Sequence, residues 1–298
     1  MTKSALLTLT AILTTNIFSG DLFMKYKAYN FTVVGASHKK MKKPCQDASV
    51  SLNKEDYILT AVCDGHGGND YFRSDRGSEF AVQAVKKCMS DRDILPMLSF
   101  YADDKERVNE MLVQLEKSII STWNDLVESD YREDPFTMDE LENVHPQIRF
   151  HYAIGEGIEY AYGTTMLVNV ITDEFWFGIH IGDGECVTVD HSGQFSHPIP
   201  HDDNCVYNYT TSICDRTAIY NMRHHFSKEL PKALFIASDG VDNCFANNDK
   251  LHDFYSMIIN SFDSMDESFA ILELLDYLPK MSQKGSGDDI SLGIILRK

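Results

Sequence analysis

Four aspartates stand where an apolar run meets small residues, a placement that suits metal binding. They are Asp64, Asp183, Asp239 and Asp288. The first three follow apolar strand-like runs and precede a glycine, which lets the backbone turn sharply and a ligand approach closely. An isolated Asp-Gly is usually only a turn. The recurrence of the pattern, with Asp47 as a fifth acid before a strand-like run, favours one shared site.

The expected chemistry of such a site is that of hard cations. Carboxylate and backbone carbonyl oxygens suit Mg²⁺ or Mn²⁺, with water completing an octahedron, and they disfavour sulfur-preferring zinc. The seven cysteines are scattered without a C-x-x-C spacing, which indicates reduced thiols rather than a disulfide framework. We therefore predict a carboxylate site for divalent metal.

Composition narrows the possible partners. The 298 residues include 45 acidic and 27 basic side chains, a formal net charge of −18, and no Lys/Arg-rich stripe. Nucleic acid and anionic membranes are therefore not expected partners. The apolar share of 43% is enough for a large buried core.

Hydrophobic patterns predict grouped strands and grouped helices. Strand patterns occupy residues 30–34, 57–63, 165–172, 174–181, 185–190, 233–237 and 290–296. Helical periodicity occupies residues 78–88, 106–127, 215–226, 249–261 and 267–281. This grouping favours an α+β layered sandwich over a doubly wound sheet.

The organisation of the chain is simple. We find no repeat or linker between residues 25 and 298, so one domain is expected there. Residues 1–24 read as a leader, a mis-assigned start or a disordered tail, and we expect a cytoplasmic protein, with secretion through residues 1–20 as the alternative. The polar segment 192–232 is either functional or a plain surface loop.

The pentapeptide Asp64-Gly65-His66-Gly67-Gly68 resembles the hallmark of the PP2C (PPM) protein phosphatases. Further motifs agree with that family in the same order: Gln46-Asp47-Ala48, Gly163-Thr164-Thr165, Gly182-Asp183-Gly184, Ser238-Asp239-Gly240-Val241 and Gly287-Asp288-Asp289-Ile290-Ser291. The resemblance covers roughly residues 30–298 and is closest to the bacterial branch. It implies a four-layer α/β/β/α sandwich of two antiparallel sheets flanked by helices.

The resemblance also implies a role for each site residue. Asp64 would bridge two Mg²⁺ or Mn²⁺ ions, with the Gly65 carbonyl on one ion and Asp239 and Asp288 on the other. Asp183, together with Asp239, resembles the site of a third metal, and Asp47 would hold metal-bound water. A water bridging the two ions would attack phosphorus, and His66 would protonate the departing seryl or threonyl oxygen.

Several positions depart from the family pattern. Gln46 replaces an acidic residue, and Gly184-Glu185 and Asp242-Asn243 replace Ser-Arg and Trp-Asp, so the geometry of a third metal is open. No arginine for substrate phosphate precedes Asp47. Lysines cluster there instead, and Lys42 or Lys43 is the candidate phosphate contact, with a solvated turn as the alternative.

These residues predict an active, monomeric phosphatase that removes phosphate from serine and threonine of proteins phosphorylated by a Ser/Thr kinase. Gln46 keeps open an alternative, a catalytically inactive regulatory module that binds phosphoproteins through the same fold. A metal-dependent nuclease or phosphodiesterase is disfavoured by the net charge, and a small-molecule phosphatase stays open because the metal site treats any monoester alike.

Overall fold

The computed structural model describes residues 25–90, 93–205 and 209–298, so the interpretation of residues 1–24 falls outside it. The strands are β1 (Tyr26–Val33), β2 (Asp47–Asn53), β3 (Ile58–Asp64), β4 (Met166–Ile171), β5 (Trp176–Ile181), β6 (Glu185–Val189), β7 (Phe195–Ser196), β8 (Arg223–Ser227), β9 (Ala233–Ala237) and β10 (Ile290–Arg297). The α-helices are α1 (Ala36–Met41), α2 (Ser74–Ser90), α3 (Ile94–Phe100), α4 (Lys105–Glu133), α5 (Met138–Leu141), α6 (Pro146–Ala153), α7 (Ala218–Asn221), α8 (Asp239–Asp242), α9 (Asn248–Ser264) and α10 (Glu267–Lys284).

The strands form two antiparallel five-stranded sheets. One has the order β1-β10-β9-β6-β7 and the other β2-β3-β4-β5-β8. Apolar side chains of both sheets meet face to face, among them Ile58 and Trp176 from one sheet and Leu234 and Ile295 from the other. The inner faces therefore form a dry interlayer, as expected for a sandwich.

Helices cover both outer faces. On the β2-side sheet, α2 and α4 pack together, and the buried Trp123 indole of α4 donates a hydrogen bond to the Gly77 carbonyl of α2 at 2.9 Å. On the β1-side sheet, α9 lies against β9, where the rings of Phe235 and Tyr255 stack at 4.3 Å. The α+β four-layer α/β/β/α sandwich predicted from the sequence is confirmed. No helix within the described residues is both long and apolar enough to cross a membrane.

The predicted helix at residues 215–226 is wrong. Only Ala218–Asn221 is helical, and Arg223–Ser227 is strand β8, which pairs with β5 along the sheet edge. Cross-strand hydrogen bonds to β5 outweigh the local helical pattern, since strand formation depends on neighbours distant in sequence. Strand β8 also shows that the segment 192–232 is not wholly irregular.

Candidate active site

The four strand-end aspartates line one cavity at the rim between the two sheets. Asp64 ends β3, Asp183 follows β5, Asp239 begins α8 directly after β9, and Asp288 precedes β10. All four line a cavity of about 170 Å³, and among the described residues no lysine or arginine lines it. The prediction that separate strand ends meet is therefore reproduced in the fold.

Asp64 lies at the electrostatic centre of the cavity. Its backbone is fixed by Thr164 and Thr165: its carbonyl accepts hydrogen bonds from both, and its N–H donates to the Thr165 hydroxyl. Removal from water raises the pKa of Asp64 well above its usual value, and the charges of Asp47, Asp239, Asp288 and Asp183 raise it further.

Asp239 shares this excess of negative charge. Burial, followed by repulsion from Asp183, raises the pKa of Asp239 to about 6, although hydrogen bonds with Asp64 and Asn243 oppose the rise. The Asn243 amide donates to an Asp239 carboxylate oxygen at 3.1 Å. The residue that replaces the family's aspartate thus orients a predicted metal ligand.

Asp47 lies behind the cavity rather than on its wall. It pairs directly with Asp64 across β2 and β3, and its carboxylate accepts a hydrogen bond from the Ser238 hydroxyl at 2.9 Å. Burial, followed by repulsion from Asp289, raises the pKa of Asp47 to about 7. From this position Asp47 could act on the site through its neighbours and not as part of the cavity wall.

Asp288 and Asp289 are adjacent but have different surroundings. The Asp289 carboxylate is buried and accepts hydrogen bonds from the Gly35 and Gln46 backbone N–H groups and from the His38 ring. The Asp288 side chain is about half exposed and lines the cavity. Asp289 therefore joins three chain segments, while one Asp288 carboxylate oxygen accepts the Asp289 backbone N–H at 2.8 Å and the other can take a ligand.

Gly65 stands where the chain leaves no space for a side chain. A Cβ atom there would lie 2.6 Å from the backbone carbonyl oxygens of Gln46 and Ser74. Nearby, the Gln46 amide nitrogen donates to the His66 carbonyl at 3.0 Å and to the Ser74 hydroxyl. The Gln46 side-chain oxygen is buried without a hydrogen-bond partner, although Gln46 lines the cavity.

His66 is partly buried on the cavity wall beside Asp64. Its ring and that of Tyr71 meet edge to face with centroids 4.8 Å apart, and its backbone N–H donates to the Gly163 carbonyl. Burial lowers the pKa of His66 to about 4, with the Asp183 charge acting in the opposite direction. The ring is therefore neutral near neutral pH in the absence of substrate.

Asp183 is held by the segment 192–232. The Thr210 hydroxyl donates to its carboxylate at 2.6 Å, and Thr210 itself lines the cavity. This contact favours the functional interpretation of that segment over the plain surface loop. Lys42 and Lys43, at the end of α1, are exposed and do not line the cavity.

Two cavity residues escaped the sequence analysis, His38 and Thr210. His38 is buried in the short helix α1 and touches Asp289, which is 251 positions away. Its lysine-rich surroundings gave no hint of burial. Thr210 stands in a polar segment with no local pattern, so only the fold brings it to Asp183.

The donor set fits Mg²⁺ or Mn²⁺. Carboxylates that raise one another's pKa, with no cation beside them, are the environment in which a divalent ion is most stabilising, and every candidate ligand is a hard oxygen. No group of three or more His, Cys, Asp or Glu side chains in the described part of the chain is already arranged to hold an ion. The side chains would therefore have to turn toward it.

Solved structures of other proteins share the fold of this chain. A bacterial serine phosphatase shares 16% identity and a TM-score of 0.58, over 91% of this chain and 98% of that one. Serine/threonine phosphatase Stp1 from Staphylococcus aureus shares 14% identity and a TM-score of 0.60, over 94% and 98% of the two chains. At such low sequence identity, these structural similarities show that the chains share a fold.

Sequence comparison gives the family. No curated protein sequence matches the chain. The family model described as protein phosphatase 2C matches residues 34–278, which is most of the chain and includes all the motifs up to Asp239. The chain therefore belongs to the protein phosphatase 2C family.

Proposed function

We propose that this chain is a metal-dependent protein phosphatase that hydrolyses phosphoserine and phosphothreonine. The observation that carries the proposal is the convergence of Asp64, Asp183, Asp239 and Asp288 on one cavity, whose wall contains no lysine or arginine from the part of the chain that the structure describes. Membership of the protein phosphatase 2C family supports a phosphatase. The substrates would be proteins phosphorylated by a Ser/Thr kinase, and we expect the enzyme to act as a cytoplasmic monomer.

The cavity residues would hold Mg²⁺ or Mn²⁺ through oxygen. Asp64, the Gly65 carbonyl, Asp239 and Asp288 are the proposed ligands of two ions, and Asp183 with Asp239 those of a third. The ions would neutralise phosphoryl oxygens and activate water for attack on phosphorus.

Asp47 would act through its neighbours rather than on phosphorus. Its carboxylate lies behind Asp64 and is held by Ser238, so it can accept a hydrogen bond from an ordered water while staying in place. A buried acceptor of this kind fixes the orientation of what it binds.

His66 is the proposed general acid. The Tyr71 ring contacts the imidazole and the Gly163 carbonyl fixes the His66 backbone, which supports a position at the wall from which His66 would protonate a leaving seryl or threonyl oxygen. Because the ring is neutral before substrate binds, it must take up a proton with the substrate, and the negative charge of a phosphate monoester favours this. His66→Gln should slow turnover most for substrates with poor leaving groups.

Lys42 and Lys43 are proposed to contact substrate phosphate as point charges. Replacing either by Met should raise the KM with little change in kcat, because the contact would be the same in ground and transition states. An unchanged KM in both variants would assign the lysines to a solvated turn.

The test is hydrolysis of a phosphothreonine peptide by purified protein with Mn²⁺. Activity should disappear with EDTA and in Asp239→Asn. It should persist in Asp242→Asn, a matched change three residues further along whose side chain does not line the cavity. Protein that is folded but inert with both Mn²⁺ and Mg²⁺ would reject the enzyme.

A specific observation keeps the inactive, phosphoprotein-binding module as second candidate. Gln46 lines the cavity with a neutral amide where the family usually has an acid. Calorimetry that shows phosphopeptide binding without turnover would support that module.

A further inference from the structure

Two histidines, a residue type that can bind metal ions, lie close together outside the aspartate cavity, between the strand β7 and the helix α9. His197 follows β7 and His252 belongs to α9. Their Nε2 atoms face each other at 3.3 Å. Neither residue lines the aspartate cavity.

The distance between the two nitrogens has a chemical meaning. In tetrahedral zinc sites the Zn–N bond is about 2.0–2.1 Å, which places two imidazole nitrogens about 3.3 Å apart. Two neutral rings cannot both donate across this gap, so at most one hydrogen bond joins them. The spacing therefore matches that of two adjacent ligands of one ion.

Neighbouring side chains orient both rings. The Nδ1 atom of His197 lies 3.0 Å from a carboxylate oxygen of Glu185, a contact that favours the proton on Nδ1 and so makes Nε2 the nitrogen that can bind a metal. His252 is stacked on Phe195 with ring centroids 4.3 Å apart and planes only 9° apart. A carboxylate behind one ligand and a ring against the other are the supports that preorganise a metal site.

We propose that His197 and His252 bind one imidazole-preferring transition metal ion, of which Zn²⁺ is the representative, with Glu185 as the positioning residue behind His197. Water would complete the coordination, because no group of three or more His, Cys, Asp or Glu side chains in the described residues is arranged to hold an ion. The ion would join the turn after β7 to α9. Mg²⁺, a hard cation that prefers oxygen, would not compete.

Calorimetric titration of the full chain with Zn²⁺, in an excess of Mg²⁺ that occupies oxygen sites, tests the proposal. One Zn²⁺ per chain should bind, and binding should be lost in both His197→Asn and His252→Asn. His191→Asn is the matched control, because that exposed ring contacts Arg297 instead and should leave binding unchanged. Glu185→Gln should weaken binding about 10- to 100-fold.

Equal Zn²⁺ affinity in the parent and in either histidine variant would overturn the proposal. Zn²⁺ binding that disappears in Asp239→Asn instead would also overturn it, because the ion would then occupy the aspartate cavity. Circular dichroism of each variant checks that it is folded, and both rings are partly open to water, so folding should be kept. With Cu²⁺ as probe, electron paramagnetic resonance should show two nitrogen ligands, and none would contradict the site. These readouts do not depend on phosphatase activity.

Discussion

Replacing Asp239 by Asn should make the metal-free protein more stable while removing its response to Mn²⁺. In the absence of ions, the carboxylate faces Asp183, Asp64 and Asp288, and no lysine or arginine in residues 25–90, 93–205 and 209–298 lines the cavity. Asn keeps the shape and the hydrogen bond from Asn243 but removes one negative charge. Function and stability should therefore respond in opposite directions.

The magnitude follows from the pKa of Asp239, which rises from 3.8 to about 6 on folding. A carboxyl group that holds its proton more tightly when folded destabilises the protein as the pH rises from its unfolded pKa through its folded one. The rise of 6 − 3.8 = 2.2 units corresponds to about 3 kcal/mol at pH values above the folded pKa. The Asn variant should gain up to this amount there and nothing below the unfolded pKa.

The assay is urea unfolding in EDTA at about pH 8 and again near pH 4, followed by unfolding with Mn²⁺ at about pH 8. With free Mn²⁺ at about 100 times its Kd, the parent should gain about 2.7 kcal/mol, and Asp239→Asn should gain almost none. Asp242→Asn is the matched control: burial, followed by repulsion from Asp239, raises the pKa of Asp242 to about 7. It should also stabilise the metal-free protein, but it should keep the Mn²⁺ gain.

Two results would refute this reasoning. One is an Asp239→Asn variant less stable than the parent in EDTA at about pH 8, which would mean that the carboxylate makes a net favourable contact. The other is a Mn²⁺ gain equal to that of the parent, which would place the ions elsewhere.

Three further predictions concern the surroundings of the cavity. Gly65→Ala should abolish phosphatase activity, measured with a phosphopeptide, because its Cβ would meet the Gln46 and Ser74 carbonyl oxygens at 2.6 Å; activity like that of the parent would contradict this close approach. Arg73→Met should lower the free energy of unfolding by about 3–5 kcal/mol in urea, because Arg73 is buried and ion-paired with Glu140; a loss under about 1 kcal/mol would contradict it. Burial raises the pKa of Glu140, but hydrogen bonds from Arg73 outweigh it and lower the pKa from 4.5 to about 2. Glu140→Gln should therefore lose about 1–2 kcal/mol above the unfolded pKa, because solvent screens part of this partly exposed pair, and the difference from the parent should fade as the pH drops toward 2; a difference independent of pH would contradict the ion pair.

The sequence predicted the parts of the fold that carry strong local patterns. The strand at residues 233–237 and the long helices α4, α9 and α10 were located from apolar spacing alone. Strand β2 was missed because most of its residues are only partly buried and it carries no continuous apolar run, and β8 was taken for helix. Both lie at sheet edges, where pairing with one distant neighbour decides the structure.

The residues of the candidate site also fall into two groups, those with a recognisable local sequence pattern and those that only the fold brings to the cavity. Asp64, Asp183 and Asp239 stand out in sequence because each combines a strand end with a glycine. His38 and Thr210 do not, because their importance comes from contacts with Asp289 and Asp183 far along the chain. The choice of Asp288 over Asp289 as ligand rested on resemblance, and the structure supplies a physical reason to pursue it, since Asp289 already accepts three hydrogen bonds.

Gln46 is the departure from the family pattern that bears most on how the cavity works. Its amide nitrogen donates to the His66 carbonyl, and a glutamate there would turn a carboxylate oxygen toward that carbonyl. Repulsion would then add to that already present around Asp64 and would loosen the backbone that carries His66. The neutral amide therefore lowers the negative charge of the metal-free cavity and fixes the His66 backbone, while its unpartnered side-chain oxygen remains available as a neutral ligand or water acceptor. If the cavity binds cations as proposed, the glutamine would lower their affinity but order the wall that carries His66, which is compatible with the proposed turnover.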